Sequence, residues 1–110
     1  MTTPASTIFD MQAELCLAMA HPLRLKIVHL LKDGPKQVNK IAGALLVSQP
    51  TVSRHLAVLR NAGIVAATRQ GADVFYRVAN PKIVDICEMM RGVLAERENQ
   101  RSDILAQLQE

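Results

Sequence analysis

The sequence predicts a mainly α-helical fold with one small β-hairpin, and three observations carry that expectation. Apolar residues recur at helical spacing through most of the 110 residues, as in Val52, Leu56 and Leu59 or in Leu23, Ile27, Leu30 and Leu31. Between Ile64 and Val78 the period falls to two on either side of Gln70-Gly71-Ala72, the pattern of two paired strands and their turn. Turn chemistry at Asp33-Gly34-Pro35 and at Gly63 separates the helices from one another and from the hairpin.

A chain of this length has room for one domain and one modest core, so residues 1–110 are expected to form a single unit. Residues 1–7 are small and polar and are expected to be a loose arm. Hydrophobic residues make up 49% of the chain, which argues against disorder; aromatics make up only 3%, so the core must be aliphatic. The formal net charge of +3 permits a nucleic-acid partner without demanding one. No run of about 18 apolar residues is present to span a bilayer, so no membrane partner is expected. Met1 to Thr7 carry neither the basic segment nor the apolar block of a secretory signal. Two cysteines, Cys16 and Cys87, are too few for a secreted disulfide framework, and a reducing, cytoplasmic setting is expected.

Taken in order, the first helix is expected over Ile8 to Met19, with Ile8, Leu15, Cys16 and Met19 near one side. His21 is placed to cap the second helix, which Pro22 begins. Arg24, Lys26 and Lys32 of that helix are expected to face solvent or phosphate. Gln37 to Leu45 reads as a short helix with Val38, Ile41, Ala42 and Leu45 inward. In the fourth helix Ser48 can cap the first turn, and Pro50 suits an early position where the amide hydrogen it lacks would have no partner. Gly63 stops that helix after Asn61. The third and fourth helices form the two arms of a helix-turn-helix, and the hairpin that follows is its wing. Asn80-Pro81 opens a last helix reaching residue 108, with a stripe of Ile83, Ile86, Cys87, Met90, Val93 and Leu94. It is polar and charged from Ala95 to Asp103, and apolar residues resume at Ile104, Leu105 and Leu108.

The chemistry points to the fourth helix. Gln49, Ser53, Arg54 and Arg60 lie off its apolar stripe, and its early turns are rich in short hydrogen-bonding side chains. Glutamine and arginine offer paired groups suited to adenine and guanine edges in a major groove. Serine and threonine, here Ser48, Thr51 and Ser53, more often hold phosphate oxygens. His55 has two readings: a further DNA contact, or a ring packed and hydrogen-bonded against the helix-turn-helix core. Arg69 near the hairpin tip and Arg77 on its return strand are candidates for phosphate or minor-groove contact. The plainer alternative for the whole set is a solvated polar helix face.

The stretch Ser48-Gln-Pro-Thr-Val-Ser-Arg-His-Leu56, followed by Leu59-Arg-Asn-Ala-Gly-Ile-Val65, resembles the recognition helix of the ArsR/SmtB family of winged-helix repressors. Ala18-Met-Ala-His-Pro-Leu-Arg-Leu-Lys-Ile-Val28 upstream and Val74-Phe-Tyr-Arg-Val78 downstream continue the pattern, so the resemblance covers roughly residues 10 to 95. It implies a winged helix-turn-helix homodimer joined through the first and last helices, the latter over residues 81–108. Such a dimer would bind an imperfectly palindromic operator through residues 48 to 60 and the wing, and leave it when an inducer alters the dimer. The physical pattern agrees, since both end helices carry more apolar surface than a small domain can cover; the alternative is a monomer whose last helix folds onto its own core. One departure is Leu46, where the family usually has glycine: either the turn takes another conformation or Leu46 bears strain.

The resemblance also bears on inducers. The positions of the family's thiolate pair are Gln37 and Asn39 here, and those of its zinc ligands are Asn80, Lys82, Val93 and Glu96, so neither familiar metal site is expected. Cys16 and Cys87 fall on the stripes of the two helices expected to meet. They read either as small buried hydrophobes or as a thiol sensor for a reactive sulfur species, soft metal or metalloid, for which Arg91 is the cation nearest Cys87. DNA binding itself requires no cofactor. Rival functions are a repressor without an inducer and a helical protein-interaction module. An enzyme is the least favoured, because no phosphate loop, paired carboxylates or nucleophile triad is present.

Overall fold

The computed structural model describes residues 7–109. Five helices and one hairpin follow in the order α1 (Ile8–Met19), α2 (Pro22–Leu31), α3 (Val38–Leu45), α4 (Gln49–Asn61), β1 (Val65–Gln70), β2 (Asp73–Val78) and α5 (Pro81–Leu108). This is a winged helix-turn-helix. No helix among the described residues is long and apolar enough to cross a membrane.

The helix starts follow from local chemistry. Thr7, expected at the end of a loose arm, instead caps α1: its Oγ1 accepts the Asp10 N–H at 3.1 Å, and the Asp10 carboxylate accepts the Thr7 N–H at 3.1 Å. This reciprocal pair satisfies two of the amides a helix start leaves open. The rest of the expected arm, residues 1–6, lies outside the described residues. His21 Nδ1 accepts the Leu23 N–H at 3.1 Å to cap α2, and Asn80 Oδ1 accepts the Lys82 N–H at 2.9 Å to cap α5. Pro22, Pro50 and Pro81 each stand in the first turn of their helix.

The core is aliphatic, as the composition requires. Ile27, Val28 and Leu31 of α2, Ile41 and Ala42 of α3, and Val52, Leu56 and Leu59 of α4 are buried together with Ile64, Val65, Ile83 and Cys87. These rows lock α2, α3 and α4 at fixed angles, so the outward side of α4 is held rigidly by its inward side.

Two turns in this block close in the same way. After α3 the Val47 N–H reaches back to the Ala42 carbonyl at 3.2 Å, and after α4 the Ile64 N–H reaches the Leu59 carbonyl at 2.9 Å. Each needs a residue of positive φ. At the second turn it is Gly63 (φ +75°), but at the first it is Leu46 (φ +57°, ψ +42°). Of the two possibilities the sequence left for Leu46, strain is the one realised, roughly 1–2 kcal/mol for a residue with a Cβ. Its side chain is 91% exposed and packs on nothing that would offset this.

The strands pair antiparallel, from Val65 opposite Val78 to Gln70 opposite Asp73, through a two-residue loop with Gly71 at φ +63°. The outer edge of β2 is met by Lys36, whose N–H donates to the Tyr76 carbonyl at 2.9 Å and whose carbonyl accepts the Tyr76 N–H at 2.8 Å.

The apolar stripe of α5 divides. Ile83 and Cys87 are buried in the subunit's own core, while Ile86, Met89, Met90, Val93 and Leu94 are exposed. On α1, Met19 is buried but Ile8, Phe9, Met11 and Leu17 are exposed, and so is Cys16.

Candidate nucleic-acid interface

The helix α4 buries one row and presents the others. With Val52, Leu56 and Leu59 inward, Gln49, Ser53 and Arg60 stand on one flank and Arg54 on the side away from the core. All four are exposed. The flank carrying Ser53 and Arg60 looks toward the wing: those two residues, with Ala57, Asn61 and Tyr76, line a hollow between α4 and β2.

The N-terminal turn is organised by its cap. Ser48 Oγ accepts the Thr51 N–H at 3.3 Å and lies 2.8 Å from Thr51 Oγ1, which in turn accepts a hydrogen bond from the Arg54 guanidinium at 3.4 Å. Ser48 and Thr51 therefore hold the start of the helix and steady Arg54, and the guanidinium keeps four further N–H groups for a ligand. Arg54 makes no ion pair with a carboxylate among the described residues.

The opposite flank of α4 is occupied from within. His55 is half-buried; its Nδ1 accepts the Arg24 Nε–H at 3.2 Å, and its ring centroid lies 4.4 Å from that of His21. Of the two readings for His55, packing against the helix-turn-helix core is the one this geometry supports. Burial, then the neighbouring His21, Arg24 and Arg54, push its imidazole below the ordinary value of 6.5. Arg24, expected to face solvent or phosphate, is instead turned inward to His55 and to the Ala18 carbonyl, 3.3 Å away. Periodicity could not signal this link, because the two side chains stand 31 positions apart.

The wing separates its two arginines. Register places Arg69 on the face that carries Tyr76, and Arg77, opposite Ala66, on the other. Arg77 lines a shallow cleft with Lys32, Pro35, Pro81 and Val84, away from the recognition helix. Arg69 alone shares the α4 side of the hairpin, and both arginines are exposed.

The two cysteines differ. Cys16 is exposed on α1, whereas Cys87 is 3% exposed in the subunit core and does not stand on the uncovered stripe of α5. Burial pushes the Cys87 thiol up, outweighing the opposing pull of Arg91. The Arg91 guanidinium also lies 3.4 Å from His29 Nδ1, against a cleft walled by Leu25, Leu30 and Leu45. The activated thiolate that a sensor needs is therefore not prepared at Cys87.

The fold and this outward-facing polar helix define a winged helix-turn-helix protein. Residues 21–67 match the family model described as bacterial regulatory protein, arsR family. The chain is 40% identical over 83 residues to the HTH-type transcriptional repressor SmtB of Mycobacterium tuberculosis, spanning 76% of this chain and 62% of that one. It is 32% identical over 102 residues to the uncharacterized HTH-type transcriptional regulator Rv0081 of M. tuberculosis, with 92% of this chain and 90% of that one aligned. The crystal structure of Rv0081 superposes with a TM-score of 0.78 over 88% of this chain and 98% of that chain. A homodimeric winged helix-turn-helix DNA-binding domain from Mycobacterium bovis, described as a possible ArsR-family regulator, superposes with a TM-score of 0.76 at 29% identity, over 87% and 89% of the two chains. The chain belongs to the arsR family.

Proposed function

We propose that the protein is a homodimeric transcriptional repressor that binds a palindromic operator through α4 and the wing. The observation that carries this reading is the exposure of Gln49, Ser53, Arg54 and Arg60 on a helix whose other side is locked into the core. In a major groove, Gln49 and Arg54 read base edges. Ser53 and Arg60 hold phosphate oxygens, and Ser48 and Thr51 order the turn that presents Arg54. Arg69 extends the footprint from the wing. The similarity to the transcriptional repressor SmtB supports the reading, and so does the homodimeric DNA-binding domain of the M. bovis neighbour.

The second copy has a surface to cover. Phe9 and Leu17 on α1 and Met89, Met90, Val93 and Leu94 on α5 are large apolar side chains open to solvent. Pairing two chains through these helices fixes the separation of the two copies of α4, and spans of about one helical turn, 34 Å, fit successive major grooves. An inducer that alters this pairing shifts the population away from the DNA-competent dimer. The burial of Cys87 favours a repressor that is not switched through that thiol.

The test is binding to duplexes enriched from a random-sequence pool. The full chain should enrich a twofold-symmetric site, and Arg54→Ala should weaken binding by about 1–3 kcal/mol. Affinity should fall steeply with added salt. Parent-like affinity of Arg54→Ala, or affinity indifferent to salt, overturns the proposal.

A further inference from the structure

Two helix ends meet behind the recognition helix. Arg24, in the first turn of α2, donates through Nε to His55 Nδ1 at 3.2 Å and through a terminal nitrogen to the Ala18 carbonyl at 3.3 Å. The Ala18 carbonyl belongs to the last turn of α1, where no later amide of the same helix is available to it. His21, the cap of α2, accepts the Leu23 N–H at its own Nδ1 at 3.1 Å and lays its ring beside that of His55, centroids 4.4 Å apart and planes tilted by 44°.

We propose that Arg24 and His55 are positioning residues: with His21 they brace the recognition helix α4 against the α1–α2 corner, and the brace holds only while the His55 imidazole is neutral. The proposal deepens the repressor reading and rests on it for its DNA readout.

The chemistry follows from the acceptors. A ring nitrogen that accepts a hydrogen bond carries no proton, so in each imidazole the proton sits on Nε2. An imidazolium is protonated at both nitrogens. At His55 that would cancel the Arg24 bond. The surroundings oppose the cation as well. Arg54 on α4, and Arg24 and His21 at the start of α2, all face His55. Glu14 of α1 lines a hollow with Arg24, yet no carboxylate among the described residues lies within ion-pair distance of Arg24, His21 or His55. One guanidinium thus ties the end of α1, a helix proposed for the dimer interface, to the middle of the helix proposed to enter the groove.

The sign of the pH effect is fixed. The imidazole of His55 is held below its ordinary 6.5 in the folded chain. Above that pH, folded and unfolded chains both carry it neutral and the brace is intact. As pH falls below 6.5, the unfolded chain takes up the proton first, and stability is lost progressively as the folded value is passed. Added positive charge by itself tightens phosphate binding at low pH, so a loss of DNA affinity has the opposite sign from a general electrostatic effect.

The test uses the full chain and a duplex enriched by the parent at about pH 7.5. Dissociation constants at constant ionic strength and thermal unfolding are followed down to about pH 5.5 for the parent, Arg24→Met and the double variant His21→Asn/His55→Asn. In the double variant an amide oxygen stands near each Nδ1 position and accepts without titrating. The parent should lose affinity about tenfold across this range, and Arg24→Met should start about tenfold weaker and change little. The double variant should show a flat profile whatever its starting affinity. A double-variant profile as steep as the parent's, a flat parent profile, or Arg24→Met binding and unfolding like the parent at the upper pH each overturns the brace. If the parent enriches no duplex, the repressor reading falls instead. The brace is then decided by unfolding: the midpoint must drop further on acidification in the parent than in the double variant.

Discussion

The middle of the chain and its two end helices place their apolar residues differently. From α2 through α4 the large aliphatic side chains turn inward: Ile27, Ile41, Leu56 and Leu59 are fully buried against one another. In α1 and α5 the balance is reversed, with Phe9 at 76% exposure and Met89 at 73%. The middle completes its own core, and the ends leave large apolar side chains open to solvent. This difference separates two jobs. The middle gives α4 a fixed outward face, and in the proposed dimer the ends set where a second such face lies.

Three changes would break or sharpen the contrast. The largest effect is expected inside the middle. Leu56→Ala removes a side chain with 1% exposure and should cost about 3 kcal/mol in urea unfolding. Next come the ends. Met90→Glu combined with Val93→Glu should raise the dimer dissociation constant about a hundredfold in sedimentation equilibrium while leaving the helical circular dichroism of the monomer unchanged. A collapse of helical content instead would mean that α5 is needed for its own subunit's fold, and the contrast would fail. The smallest effect lies in the paired turns. Leu46→Gly should stabilise the chain by up to about 1 kcal/mol, whereas Gly63→Leu should destabilise it by a similar amount. Equal signs for the two would show that Leu46 is not strained.

Much of this architecture was legible in the residues. Helix spacing placed α1, α4 and α5 at their observed ends, and His21, Ser48 and Asn80 announced the caps of α2, α4 and α5. The exposed face of α4 was legible for the same reason: a 3.6-residue period that buries Val52, Leu56 and Leu59 leaves Gln49, Ser53, Arg54 and Arg60 outside. Contacts between distant segments were not. Nothing local tells Arg24 to turn from solvent toward His55, because that choice depends on how α2 crosses α4. The two wing arginines were likewise inseparable until register was known, since one step along a strand exchanges its faces. Cys87 illustrates the limit of a stripe. It shares one side of the helix with Met90 and Leu94, but the boundary between own core and uncovered surface runs between them.

The backbone bridge between Lys36 and Tyr76 makes the hairpin a cantilever. Its root is clamped on one side by β1 and on the other by the connection between α2 and α3. From Tyr76 to the start of β2 at Asp73 the strand runs three residues, about 10 Å, with β1 as its only backbone-paired neighbour among the described residues. Arg69 rides on that overhang and Arg77 sits over the clamp. A wing built this way can bend at its tip to follow the contour of whatever it touches, while the hollow between Tyr76 and α4 keeps its shape.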